Sequence, residues 1–104
     1  MKVIKQLSEM IEEELEGAEN YAKSALEYKD NMKILADTFY DISTQEMVHV
    51  NMLHDRVAEI IKRHREEHGE PPAAMLAIYE WEHKKQIEKA KTVKILQSQY
   101  RDGL

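Results

Sequence analysis

Two short motifs in this chain place an acid and an imidazole one helical turn apart: Glu46-Met47-Val48-His49 and Glu80-Trp81-Glu82-His83. At positions i and i+3 of a helix, two side chains leave on one side, within reach of a single cation. Alone, the spacing is weak, since 15 Glu and five His in 104 residues give roughly 0.7 such pairs by chance. Context singles out the first pair. Glu46 and His49 lie in the middle of an otherwise apolar helical stripe, Leu35, Phe39, Ile42, Glu46, His49, Leu53, Val57, Ile60. Glu14 interrupts a second stripe, Ile4, Leu7, Ile11, Glu14, Ala18, Tyr21, Ala25. Removing an ionised carboxylate from water without a partner costs several kcal/mol, a large part of a typical stability of roughly 5–15 kcal/mol. No Lys or Arg lies on either stripe to pair with these acids. Glu14 and Glu46 must therefore be protonated, salt-bridged or bound to metal. Carboxylates joined by an imidazole suit Fe(II), Mn(II) or Zn(II) far better than Cu(I).

Helices must position these groups. Glu, Lys, Ala, Leu, Met and Gln dominate, alternating β-branched runs are missing, and there are only three Gly and two Pro. That is the composition of long helices. The one strong breaker is His68-Gly69-Glu70-Pro71-Pro72, where Gly69 can close a helix and a Pro can open the next. A weaker one is Tyr28-Lys29-Asp30-Asn31, where Asp30 or Asn31 can serve as N-cap. The expected helices span about 2–28, 31–67 and 72–100. If the first two run antiparallel, residues equally far from the turn at 28–31 face each other, which brings Glu14 level with Glu46 and His49. The third helix has a less regular face, Leu76, Tyr79, His83, Ile87, Ala90. The expectation is one all-α domain over residues 1–104, a long antiparallel hairpin with a third helix.

Composition removes several classes of function. A hydrophobic share of 42% supports one core and makes a wholly disordered chain improbable. No apolar run approaches a membrane span, and none ends in a small-residue cleavage site. With no Cys there is no disulfide framework, thiol nucleophile or Cys-ligated metal, which is compatible with a reducing cytoplasm. The net charge of -5 argues against nucleic acid as the main partner.

At Glu14-Leu15-Glu16-Gly17-Ala18-Glu19-Asn20-Tyr21 and Gln45-Glu46-Met47-Val48-His49 the sequence resembles the ferritin-like di-iron carboxylate superfamily, which includes ferritins, rubrerythrins and encapsulated ferritins. Its members carry a Glu on a first helix and Glu-x-x-His on a second, and repeat the set on two further helices. The resemblance covers about residues 7–57. It implies iron as the metal, with Mn or Zn as substitutes, and a ferroxidase that turns Fe(II) into Fe(III) for storage or detoxification. It also implies Glu14 as a terminal ligand, Glu46 as a carboxylate bridging two irons, and His49 as a terminal nitrogen ligand. A full site needs the set twice. A twofold homodimer of hairpins, completing a four-helix bundle in the manner of encapsulated ferritins, supplies it without a further ligand type. The other route takes ligands from Glu80, Glu82 or His83 and a fourth helix from a neighbour. The last residues, Gln97 to Leu104, carry no recognisable shell-targeting extension.

Other residues have plainer readings. Glu12, Glu13, Glu16 and Glu19 can form an acidic approach path for cations, though a solvated helix face is the simpler account. Tyr21 serves equally well as a core residue or as a hydrogen-bond partner of a ligand. Trp81 reads as packing or interface, His54 and His64 as solvated, His83 as a hydrogen-bonded core residue, and the six Met as core filler. The competing class is a non-enzymatic helical coiled-coil protein in which Glu14, Glu46 and His49 set register. A rubrerythrin-like peroxide-reducing di-iron protein is a third reading.

Overall fold

In the computed structural model, which describes residues 1–103, the chain forms three helices: α1 (Lys2–Tyr28), α2 (Lys33–His68) and α3 (Ala73–Asp102). Among the described residues there is no strand. α2 begins two residues later than expected, because neither Asp30 nor Asn31 caps it. Met32 stands at the cap without a side-chain bond, and backbone bonds close the turn, Met32 N donating to Tyr28 O at 2.9 Å. At the other end Gly69 adopts φ 78° and donates its N–H to Arg65 O at 2.9 Å, a conformation a side chain would strain. Pro72 then leads into α3. The molecule is a rod of 55 × 18 × 18 Å, and the 36 residues of α2 account for its length at about 1.5 Å per residue.

α1 is the middle helix. It lies antiparallel to α2 and parallel to α3, while α2 and α3 touch at few points. Ile11, Leu15 and Val50 form one core cluster, with Met47, Leu53, Val57 and Ala90 packed on it. Ala25, Ala36 and Tyr100 form a second near the α1–α2 turn. Between them the buried residues are small: Ala18, Ala22 and Ser43, with Val93 from α3. Ser43 Oγ donates to Ala18 O at 2.7 Å and accepts from Gln97 Nε2 at 2.9 Å, tying all three helices at one level.

The buried seams are rotated from the expected stripes. On α1 the seam is Ile4, Ile11, Leu15, Ala18, Ala22, Ala25, because two neighbours cover this helix and the sector between them is deepest. Leu7, Glu14 and Tyr21 are only half-buried on its flank. On α2 the buried residues are Ala36, Ser43 and Val50, while Leu35, Phe39, Ile42, Glu46, Leu53 and Ile60 are half-buried and His49 is exposed. On α3 the buried residues are Val93 and Tyr100; His83 and Ile87, expected inside, are exposed. The Met residues are not core filler as a group, since Met1, Met10, Met32 and Met52 are exposed. Tyr100 locks the end of α3, its hydroxyl bonded to Asp37 and accepting from Lys33 Nζ at 3.2 Å, its ring stacked on Tyr40 with centroids 5.0 Å apart.

Candidate metal site

The hairpin register, pinned by the Ser43–Ala18 bond, sets Glu14 beside His49. Nδ1 of His49 lies 3.4 Å from Oε2 of Glu14, with the side chains 53% and 32% exposed. Glu46, one turn nearer the loop on α2, lays its carboxylate over Gly17 of α1. A Cβ at residue 17 would overlap that carboxylate, meeting its carboxyl carbon at 2.9 Å. Oε2 of Glu46 is buried and has no hydrogen-bond partner. Burial pushes the Glu46 carboxyl up from its ordinary value, the nearby Glu14 charge adds to this, and His49 opposes it.

The expected trio thus shares one level of the hairpin, at the edge of the α1–α2 seam and not in its interior. It does not close into a cage: among the described residues, no group of three or more His, Asp or Glu is gathered tightly enough to hold a metal ion. What one chain provides suits part of a divalent-cation site. The orphaned Oε2 needs a proton or a cation, the glycine leaves space for the carboxylate, and two carboxylates with an imidazole are the donors that Fe(II), Mn(II) and Zn(II) accept.

Other expected residues sit elsewhere. Glu82 accepts from Ser8 Oγ at 3.1 Å, fastening α3 to α1. His83 is exposed and not the core residue expected, and it stacks on His54, half-buried where a solvated residue was expected, with centroids 4.9 Å apart. Glu80 is exposed, and nothing on α3 joins Glu14, Glu46 and His49 in a ligand group. Glu19 is spoken for, 3.3 Å from Lys89 and 3.8 Å from Lys23, while Glu12, Glu13 and Glu16 are exposed. Tyr21 packs its ring against Phe39, with centroids 5.9 Å apart. His64 is half-buried and tilts against His68.

Sequence reasoning passed over Gly17 as a site residue. Its signal was present, for it is the one glycine inside an expected helix, where glycine is unfavourable by about 1 kcal/mol relative to alanine. No family model, curated protein or solved structure matches this chain.

Proposed function

We propose that this chain is a ferritin-like di-iron protein in which two copies meet across the flank of the α1–α2 hairpin and together oxidise Fe(II) to Fe(III). The observation that carries the reading is the orphaned carboxylate oxygen of Glu46, held over Gly17 at the level of Glu14 and His49. The flank on which these groups lie is lined by Leu7, Tyr21, Ile42, Leu53 and Ile60, all half-buried, and by the exposed Val3 and Met10. A twofold partner on that flank would cover these residues, complete a four-helix bundle and bring in the second ligand set.

Iron is the substrate here. Two Fe(II) ions supply the two electrons that reduce one oxidant, dioxygen or hydrogen peroxide, and oxygen-rich ligation favours the Fe(III) product. The chain's own residues do the holding. Glu46 would turn its orphaned oxygen to a cation, and His49 would offer a ring nitrogen beside the Glu14 carboxylate. The acids compensate the cations' charge at a site that a partner chain would close to water.

The test is aerobic Fe(II) addition to the pure protein. Oxidation is expected to outrun the buffer control, and Glu46→Ala to bring it back to the buffer rate. A wild-type rate equal to buffer, or an unaffected variant, sinks the proposal. Comparing oxygen with peroxide as oxidant separates the ferroxidase from the peroxide-reducing reading. The second reading, a helical interaction protein in which the Glu46 carboxyl fixes register, draws support from the burial of its partnerless oxygen against α1. That protein should gain no melting temperature on adding Fe(II).

A further inference from the structure

The face of α3 turned away from the other helices carries three large apolar side chains in water: Ile78, Trp81 and Ile95, exposed by 56%, 61% and 58%. Together with Lys85, Glu88 and Thr92, also exposed, they form a stripe with alternating steps of three and four residues, the seam spacing of a coiled coil. The stripe is complementary to its own reverse. Laid antiparallel on a second copy, Ile78 falls opposite Ile95, Trp81 opposite Thr92, and Lys85 opposite Glu88. The two Lys–Glu contacts then straddle the twofold axis at the middle of a seam roughly 27 Å long.

We infer that α3 is a self-association surface whose partner is the α3 of a second copy, antiparallel and in this one register. Shifting the seam by a heptad places Lys85 opposite Trp81 or Ile95, so the central charges select the register as well as the orientation. Both charges already lie on the stripe: Lys85 Nζ sits 4.2 Å from the centre of the Trp81 ring, and Glu88 Oε1 lies 3.3 Å from Lys91 Nζ. Lys84 and Lys91 flank the seam with like charge, which holds its affinity down. This surface belongs to α3 alone and does not depend on the metal reading.

Charge reversal tests it. K85E sets Glu against Glu across the axis and E88K sets Lys against Lys, so each is expected to weaken self-association at least about tenfold. In sedimentation the mass falls to a dimer where the hairpin flank also pairs, or to a monomer where it does not, which keeps the two interfaces apart. Emission of Trp81, the only tryptophan, shifts to the red as the ring meets water. Mixing K85E with E88K restores opposite charges and with them the wild-type mass and emission, a result that misfolded variants cannot give. Single reversals that leave mass and emission unchanged, or a mixture that stays apart, overturn the inference.

Discussion

At the scale of single residues the informative pair is Gly17 and Glu46. Gly17→Ala is expected to act in opposite directions on stability and on metal. The new methyl displaces a carboxylate at the end of a flexible side chain, so the metal-free protein gains about 0.5–1 kcal/mol of helix stability, while affinity for Fe(II) falls because Glu46 has swung away. Denaturant titration and metal titration of the same variant check both halves. The raised Glu46 carboxyl predicts a pH effect whose sign is fixed. Below the ordinary carboxyl range both folded and unfolded chains hold the proton, and the contribution is fully present. As pH rises, the unfolded chain releases its proton first, and stability is lost until Glu46 itself ionises. Metal-free protein should therefore lose stability at this residue as pH rises through and above the ordinary carboxyl range, until Glu46 itself has ionised, and Glu46→Gln should remove that part of the decline. An identical pH dependence in both proteins contradicts the assignment.

At the scale of elements, Ser43 makes a testable claim. It is the one buried polar residue among those described, and it joins α1 to α3 through Ala18 and Gln97. Ser43→Ala should cost about 1 kcal/mol in urea unfolding. Bulkier Ser43→Leu should cost more, because the alanines opposite leave no room. Helix existence and extent were legible from composition and from the breakers at residues 28–31 and 68–72, since glycine and proline act through the local backbone. The rotation of the seams was not. A stripe drawn along one helix assumes one neighbour, and α1 has two, so Leu15 and Ala22 are buried and Glu14 moves to the edge. The level shared by Glu14, Glu46 and His49 was legible because antiparallel pairing about a short turn fixes it. The empty space that receives the Glu46 carboxylate was not, for it depends on how closely two backbones approach.

At the scale of the whole molecule, the three helices divide their work. α1 is covered on two sides and carries the core, the α1–α2 flank bears the ionisable trio, and α3 keeps its outer face bare. Among the described residues, no helix is long and apolar enough to cross a membrane. A rod 18 Å thick with two separate uncovered faces can grow by pairing at both, so assembly size should respond separately to Leu53→Glu on the flank and to charge reversal on α3. If only one of the two substitutions changes the mass, one face serves and the other does not.

The lopsided anchoring of α3 has a kinetic outcome. Its two buried side chains, Val93 and Tyr100, both lie in the second half of the helix. Amide deuteration should therefore advance from the Ala73 end in brief local openings, long before the turns around Tyr100 exchange, with a boundary near Ala90. Dilution should sharpen that gradient, because a paired α3 shelters the turns from Ile78 onward only while a second chain is bound.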